Sequence, residues 1–169
     1  MKRQVKLFDP VIDDNELRAL ERILKGKSWA DGSGSKQVRK FEEEFQKETN
    51  SDSSIAVNSG TAALYLALSM ENIQNKEVIL PSNTFIATAN AIMNAGGIPV
   101  FADCDDDMCL DYDDTIEKIT PQTAAICHVH IGGLVSDAAL RLAKYCDDHG
   151  LFFVEDAAQA HGSTNKGIK

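Results

Sequence analysis

The sequence predicts an α/β fold in which a mostly parallel sheet is covered by helices on both faces. Two observations predict it. From residue 53 onward, short apolar segments that favour strands alternate with segments of helical periodicity, an order typical of successive βαβ units. The chain has 169 residues, of which 43% are hydrophobic, and this is enough to bury a core against such a sheet.

Two helices are predicted before the alternating region. The first spans residues 13–26, where Asp13 can cap the helix and Gly26 can end it. The second spans residues 37–47. Each carries an apolar stripe along one face, formed by Leu17, Leu20, Ile23 and Leu24 in the first and by Val38, Phe41 and Phe45 in the second.

The alternating region supplies the predicted sheet and its covering helices. The predicted strands are residues 54–57, 77–80, 98–102, 124–129 and 151–154. The predicted helices between them are residues 61–70, 87–95, 115–119 and 136–149. In sheets of this kind, ligands bind beyond the carboxyl ends of the strands.

Charge and composition exclude several classes of protein. The chain has 17 Lys and Arg against 26 Asp and Glu, a formal net charge of −9, which argues against a general nucleic-acid binder. No apolar run is long enough to cross a membrane, and the first residues lack the apolar stretch of a signal peptide. We therefore expect a cytoplasmic protein with neither a membrane nor a nucleic acid as its partner.

The cysteine pattern argues against a metal site. Four cysteines occur without a CxxC pair and without a histidine at metal-binding spacing, so we expect no structural zinc. Cys127 lies in an apolar run and is predicted to be a core thiol. The acidic run of residues 103–107 lacks the glycine and the final glutamate of an EF-hand loop and is predicted to be a solvated turn.

Polar residues cluster directly after the predicted strands. The clusters comprise residues 58–61, residues 81–85, Asp103, His130 and residues 155–159. Because the carboxyl ends of parallel strands meet at one edge of a sheet, these clusters are the strongest indication of a binding site that the residues themselves provide.

Two interpretations are open for Ser59, Gly60 and Thr61, which join a strand to a helix. The N–H groups and the positive dipole of the helix N-terminus, together with the hydroxyls, favour a phosphate cradle. Alternatively, Ser59 or Thr61 is an ordinary N-cap. The segment is neither a Walker loop nor a GxGxxG motif, so neither a nucleoside triphosphate nor a dinucleotide is favoured.

Asp156 and Phe85 also allow two interpretations each. Asp156 follows the apolar strand and can pair with a protonated ring nitrogen of a bound heterocycle, or it can cap a turn or pair with a structural Arg or Lys. Phe85 lies in the loop after the second predicted strand and can stack on a planar ring or belong to the core.

The histidines do not form a metal-binding pattern. His128 and His130 are two residues apart in a predicted strand and point to the same face, but no third ligand has suitable spacing. We expect both to be hydrogen-bonded histidines of the core or of the site. His161 follows Gln159 closely in sequence and is expected near the same site.

In order along the chain, four of these segments resemble the DegT/DnrJ-type (StrS-like) sugar aminotransferases. The family's phosphate-binding segment is similar to residues 58–64 (NSGTAAL), and its ring-stacking segment is similar to residues 81–92 (PSNTFIATANAI). Its VHLYG-like strand end is similar to residues 128–133 (HVHIGG), and its EDAAQAHG segment matches residues 155–162. The resemblance covers essentially the whole chain and implies the aspartate-aminotransferase-like large domain, a three-layer fold of the fold type I pyridoxal-phosphate enzymes.

The resemblance implies a role for each matching residue. Ser59, Gly60 and Thr61 would hold the phosphate of pyridoxal 5'-phosphate, and Phe85 would stack on its ring. Asp156 would pair with the pyridinium nitrogen, and Gln159 would hydrogen-bond the 3-hydroxyl. Trp29, His130 and His161 would lie near the substrate, although Trp29 can equally anchor its loop to the core.

The resemblance also implies that this chain is the N-terminal part of a longer protein. The family's Schiff-base lysine lies in a segment that follows the EDAAQAHG motif, and the sequence ends at Lys169 before it; neither Lys166 nor Lys169 is assigned this role. The expected organisation is an N-terminal helical segment at residues 1–50 and part of the cofactor domain at residues 51–169, without the small C-terminal domain. We expect this part alone to be inactive, and its incomplete sheet to expose an edge and apolar surface.

The implied activity of the full-length protein is transfer of an amino group, usually from glutamate, to a nucleotide-linked keto-sugar in polysaccharide or modified-sugar biosynthesis. The full-length protein is expected to be a homodimer. Three alternatives stay open: a dehydratase relative with histidine in place of the Schiff-base lysine, a non-catalytic regulatory protein of the same fold, and a stand-alone α/β binding module.

Overall fold

The structure is a computed structural model that describes residues 10–27 and 35–167. It divides after Ile55 into two compact units. The first unit contains helices α1 (Asp14–Gly26) and α2 (Lys36–Thr49), and all other described elements belong to the second.

Local hydrogen bonds account for the start of the first helix. The Asp13 carboxylate accepts the N–H of Asn15 at 2.6 Å, and the N–H of Asp13 donates to Glu16 Oε2 at 2.7 Å. This is a capping box, in which two N–H groups without helical partners are satisfied reciprocally. The predicted cap at Asp13 is confirmed, and α1 begins one residue after it.

The second unit is built on a parallel sheet, as predicted. Its described strands are β1 (Glu77–Pro81), β2 (Ile98–Ala102), β3 (Thr123–Val129) and β4 (Phe152–Asp156). The order across the sheet is β2-β1-β3-β4, and every pairing is parallel. The helices are α3 (Gly60–Ser69), α4 (Ile86–Asn94), α5 (Tyr112–Glu117) and α6 (Asp137–His149).

Each face of the sheet carries its own core, because neighbouring strand residues point to opposite faces. One core joins the sheet to α3 and α4 and includes Cys127, which confirms the core thiol. The other joins the sheet to α5 and α6 and includes Ile126 and Leu142. The predicted three-layer arrangement is therefore present in the described part of the chain.

Two predicted elements differ from the structure. Residues 54–57 are not a strand: they pair with neither edge of the described sheet, and Ile55 is 79% exposed. A short apolar run forms a strand only where a neighbouring strand accepts hydrogen bonds from its N–H groups and donates to its C=O groups. The helix expected at residues 115–119 is instead α5, because the Asp111 carboxylate caps it by accepting the N–H of Asp114 at 2.8 Å.

A buried cap starts α6, and its removal has a predictable cost. Ser136 is almost fully buried, and its Oγ accepts the N–H of Ala139 at 3.1 Å. We expect Ser136→Ala to lower the free energy of unfolding by about 1–2 kcal/mol in urea titrations, because that N–H then loses its acceptor. Ser69→Ala, at an exposed serine, is the control with an expected loss below about 0.5 kcal/mol. Equal losses in the two variants would contradict this account of the cap.

Candidate functional site

A small cleft lies at the carboxyl ends of the strands, where the sequence predicts the site. Its volume is about 50 Å³. Ligand pockets are typically about 300–1,000 Å³, so this cleft is smaller than a typical ligand pocket. The lining residues are Thr84, Phe85, Val129, His130, Ile131, Asp156, Ala158 and Gln159. The structure thus brings together Phe85, His130, Asp156 and Gln159, four of the predicted site residues.

Asp156 is the last residue of β4, and hydrogen bonds hold its carboxylate in place. Thr88 Oγ1 donates to Oδ2 at 2.9 Å, and the N–H of Ala158 donates to Oδ1 at 3.3 Å. Thr88 lies on α4, is fully buried, and also bonds Thr84 Oγ1 at 3.0 Å. The carboxylate therefore caps the turn after β4, one of the alternatives expected for it, and it is also oriented from α4. Among residues 10–27 and 35–167, no Arg or Lys forms an ion pair with it.

Sequence reasoning included Thr84 and Thr88 in the segments of interest but gave neither a role in supporting Asp156. Thr84 precedes the N-cap of α4, Thr88 lies in the first turn of that helix, and their hydroxyl oxygens are 3.0 Å apart. Their spacing was visible in the sequence, but the partner carboxylate is 68 residues further along the chain. Only the packing of α4 near the end of β4 makes this spacing meaningful.

Phe85 borders the cleft with most of its ring uncovered. It directly precedes α4, and it is 74% exposed. A core phenylalanine would be buried, so the core alternative is wrong for this residue. An exposed aromatic face beside a fixed carboxylate can stack on a planar heterocycle.

His130 is almost completely buried, and hydrogen bonds hold it at the end of β3. Its Nε2 lies 3.0 Å from Glu155 Oε1, and its Nδ1 lies 3.3 Å from the carbonyl oxygen of Leu134. Its backbone N–H donates to the carbonyl of Asp156 at 3.1 Å. The hydrogen bond from His130 holds the pKa of Glu155 below its usual value. The expectation of a hydrogen-bonded histidine is confirmed here.

His128 differs from that expectation. It is fully buried, and neither ring nitrogen has a hydrogen-bond partner among residues 10–27 and 35–167. Its ring contacts the His130 ring edge-on, with centroids 4.9 Å apart, and stacks with Phe153 at 6.4 Å. Burial, with a smaller effect of His130, lowers the pKa of His128 from 6.5 to about 4. The neutral ring is thus favoured, because charging it here would cost solvation.

Ser59, Gly60 and Thr61 lie at the exposed N-terminus of α3 and do not line the cleft. Ser59 Oγ accepts the N–H of Ala62 at 3.2 Å, so Ser59 is an N-cap. A cap does not exclude the phosphate cradle, because the first N–H groups of a helix have no partner within it. A methyl group added at Gly60 would meet nothing within 4 Å, so the space above this turn is open.

The remaining predicted residues lie elsewhere. His161 is exposed in the turns after β4 and does not line the cleft. Lys166 Nζ is held by the carboxylate of Asp137, at 3.0 and 3.1 Å, at the start of α6. Trp29 and Lys169 lie outside the described residues.

The acidic turn and the cysteines contribute no reactive group to the cleft. The carboxylates of Asp105 and Asp107 accept backbone N–H groups within the turn, both at 3.0 Å. A hydrogen bond with Asp107, followed by burial, raises the pKa of Asp105 to about 6. Burial also raises the thiol pKa of Cys109 to about 11, of Cys127 to about 12 and of Cys146 to about 11. These thiols stay protonated near neutral pH.

The described residues contain neither a group of potential metal ligands nor a helix suited to crossing a membrane. No three His, Cys, Asp or Glu side chains among them are grouped so that they could hold a metal ion. None of the helices in that part of the chain combines the length and the apolar character that crossing a bilayer requires.

Comparison with known proteins gives the family. The sequence model of the DegT/DnrJ/EryC1/StrS aminotransferase family matches residues 10–169. The chain belongs to this family. The segments that carry the resemblance therefore align with a family of pyridoxal-phosphate enzymes, and the fold is that of the fold type I large domain.

Two curated relatives show the range of the family. GDP-perosamine synthase of Vibrio cholerae is 35% identical over 98% of this chain and 45% of its own length. L-Glutamine:2-deoxy-scyllo-inosose aminotransferase of Streptomyces kanamyceticus is 39% identical over 95% of this chain and 39% of its own length. The chain thus spans less than half the length of these relatives.

Solved structures share the fold. The aminotransferase from Psychrobacter cryohalolentis superposes with a TM-score of 0.87 at 34% identity, over 94% of this chain and 40% of that one. NtdA from Bacillus subtilis, solved with bound PMP (pyridoxamine 5'-phosphate), has a TM-score of 0.83 at 29% identity, over 98% of this chain and 40% of that one.

The residues of the cleft fit a pyridoxal-phosphate ring. To hold a ring of this kind, the protein must supply a hydrogen-bond acceptor for the protonated ring nitrogen, an aromatic or apolar side chain against the ring face, and polar groups at the ring substituents. Asp156 supplies a fixed carboxylate, Phe85 an uncovered aromatic face, and Gln159 an exposed amide at the rim.

Proposed function

We propose that this chain forms part of the cofactor site of a pyridoxal-phosphate-dependent aminotransferase whose acceptor is a nucleotide-linked keto-sugar. The observation that carries the proposal is the Asp156 carboxylate, held by Thr88 and Ala158 in a cleft bordered by the exposed ring of Phe85. The family match supports the same assignment.

When bound, pyridoxal phosphate supplies an electron sink, which is strongest when its ring nitrogen carries a proton. Asp156 is proposed to accept that N–H through an oxygen of its carboxylate. Thr88 and Ala158 keep the carboxylate oriented, so that it does not have to reorganise when the ring arrives. Phe85, which is exposed beside the cleft, would stack on one face of the ring.

The phosphate is proposed to bind at the N-terminus of α3. The N–H groups of Gly60 and Thr61 begin α3 and have no acceptor within the helix. Both residues are exposed, Thr61 adds a hydroxyl, and the space beside Gly60 is open. The helix dipole favours an anion there, and the missing side chain of Gly60 lets a phosphate approach the backbone. Ser59 contributes by capping the same turn.

The substrate class rests on the relatives. One is named for a GDP-linked amino sugar and the other for the amination of an inosose with L-glutamine as donor. We propose a keto group on a sugar-like ring as acceptor and glutamate as donor, with glutamine as the alternative donor to test. The substrate contacts are proposed to involve Trp29, His130 and His161, of which His130 lines the cleft.

The organisation of the whole protein is also a proposal. Residues 1–50 are assigned to an N-terminal helical segment and residues 51–169 to part of the cofactor domain, with the Schiff-base lysine and a small domain outside this sequence. This chain alone is then expected to bind the cofactor without catalysing transamination. A reducing, cytoplasmic location is supported by four free cysteines.

The full-length protein is proposed to be a homodimer. The supporting observation is apolar surface on α3 and α4, the two helices that pack on one face of the sheet. Leu66, Met70 and Met93 are exposed there. Sedimentation of the full-length protein as a monomer at micromolar concentration would contradict this part of the proposal.

Binding of pyridoxamine 5'-phosphate, which needs no lysine, tests the proposed function. We expect saturable binding by the chain in fluorescence titrations. Asp156→Asn should bind about tenfold more weakly, because an amide replaces a charge-assisted hydrogen bond and mismatches the donors on Thr88 and Ala158. Asp148→Asn, which removes an exposed carboxylate paired with Lys144 on α6, is the matched control and should bind like the wild type.

Two results would overturn the proposal: no saturable binding by the wild type, or equal binding by the wild type and Asp156→Asn. A dehydratase of this family would give the same binding result. Assays of the full-length protein for sugar dehydration and for amine transfer distinguish a dehydratase from an aminotransferase. A non-catalytic relative would bind the cofactor and show neither reaction.

A further inference from the structure

The amide of Gln159 has only one orientation in this structure. The backbone N–H of Gly132 donates to Gln159 Oε1 at 2.7 Å. A backbone N–H can only donate, so the amide atom that it meets must be the oxygen. The other amide atom is therefore Nε2, which offers a ligand in the cleft a hydrogen-bond donor.

Gly133 allows the turn after β3 to lie directly against the backbone of Gln159. Gly133 has a φ of 81°, in the left-handed region, and its N–H donates to the carbonyl of His130 at 3.1 Å. A Cβ added at Gly133 would lie 2.5 Å from the carbonyl oxygen of Gln159. A backbone atom cannot swing aside as a flexible side chain can, so any larger residue here must displace Gln159 or the turn.

We propose that Gly133 is a positioning residue, because its missing side chain lets the backbone of Gln159 lie against the turn. In that position the N–H of Gly132 binds the Gln159 amide oxygen, and Nε2 is available to the ligand as a donor. This inference rests on the proposed function and deepens it. A ligand atom that meets Nε2 must then be a hydrogen-bond acceptor. The oxygen of the 3-hydroxyl group, the contact that the family resemblance implies for Gln159, has this chemistry in its ionised form.

The chain contains a matched control for Gly133. Gly150 also has a positive φ, 68°, but a Cβ there would meet nothing within 4 Å. It ends α6, away from the cleft. Gly133→Ala and Gly150→Ala therefore share the strain of an L-residue in the left-handed region, and only the first adds a collision.

The first arm of the test needs no ligand. In hydrogen-exchange NMR of the chain, we expect the Gly132 N–H to be protected in the wild type and in Gly150→Ala. In Gly133→Ala it should exchange at least about tenfold faster, because its acceptor has moved. Unchanged protection in a folded Gly133→Ala would overturn the positioning role.

The second arm uses pyridoxamine 5'-phosphate. Gly133→Ala should bind at least about tenfold more weakly, while Gly150→Ala stays within about threefold of the wild type. Gln159→Glu keeps an oxygen for Gly132 but replaces the Nε2 donor with a second acceptor. Because the Gln159 side chain is exposed, this variant should fold. It should bind the ligand about tenfold more weakly. It should also shift the absorbance maximum of the bound ligand, because that maximum depends on the ionisation of the 3-hydroxyl oxygen.

The outcomes separate the two proposals. Wild-type binding by Gln159→Glu with an unshifted spectrum would overturn the donor role, even if Gly133→Ala fails to fold. Equal binding by Gly133→Ala and Gly150→Ala would overturn the positioning role alone. If the wild type itself does not bind, the proposed function fails and the donor role fails with it, whereas the exchange result still decides whether Gly133 seats Gln159.

Discussion

Ile126→Ala is expected to lower the free energy of unfolding by about 2–5 kcal/mol, the range for a large apolar side chain removed from a packed core. Ile126 is fully buried on β3, and both neighbouring strands flank it, through Ile79 and Phe153. Its side chain packs in the core between the sheet and α6. Because small domains are stable by only about 5–15 kcal/mol, this one change removes a large fraction of the total.

Ile98→Ala is the matched control. Ile98 is also a strand isoleucine, but it begins β2, an edge strand of the described sheet, and is 50% exposed. Both variants remove the same side-chain atoms, so the difference between them reports burial and position in the sheet. In urea titrations Ile98→Ala should cost less than about 1 kcal/mol. Equal costs for the two variants would show that β3 is not the centre of the core.

Stability is expected to fall by about 3 kcal/mol between pH 6.5 and pH 4 through His128 alone. Burial lowers its pKa from 6.5 to about 4. In the unfolded chain the ring takes up a proton below pH 6.5, whereas in the folded chain it does so only below about pH 4. The stability that the neutral His128 ring contributes is therefore fully present well above pH 6.5. It is lost as the pH falls toward 4, at up to about 1.4 kcal/mol per pH unit.

Two variants of His128 test this dependence in urea titrations from pH 7.5 to pH 4. Carboxylates whose lowered pKa does not depend on His128, such as Asp114 and Asp137, also cost stability in acid, but they are common to all three proteins. His128→Leu and His128→Gln should both show a smaller loss than the wild type. At pH 7.5, His128→Leu should also be more stable than His128→Gln, because leucine buries no polar atom without a hydrogen-bond partner. A wild-type pH profile in His128→Leu would contradict the account.

Much of the local structure was predictable because its causes are local. Asp13 and Ser136 cap helices by accepting N–H groups two or three residues away, and the apolar runs of β1 and β3 predict buried strands. The apolar residues 54–57 also predict a strand, but they do not form one. Strand formation depends on a pairing neighbour, which periodicity does not reveal.

The candidate site was predictable as a set of residues but not as a geometry. Phe85, Asp156 and Gln159 follow from the strand ends and from the family resemblance, and the structure places all three at one cleft. The hydrogen bond between Thr88 and Asp156 and the close approach of Gly133 to Gln159 were not predictable. Both join residues that are far apart in the sequence.

By itself, the sequence determined the α/β class, the cap at Asp13 and the polar groups that follow the strands, because each depends on periodicity or on residues within one helical turn. Only the tertiary structure decided the strand order β2-β1-β3-β4, the burial of His128 without a hydrogen-bond partner among the described residues, and the orientation of the Gln159 amide. These features depend on which distant segments pack together. A hydrogen-bond donor or a buried ring acquires its partner, or its lack of one, only when that packing removes water and brings the segments within a few ångströms.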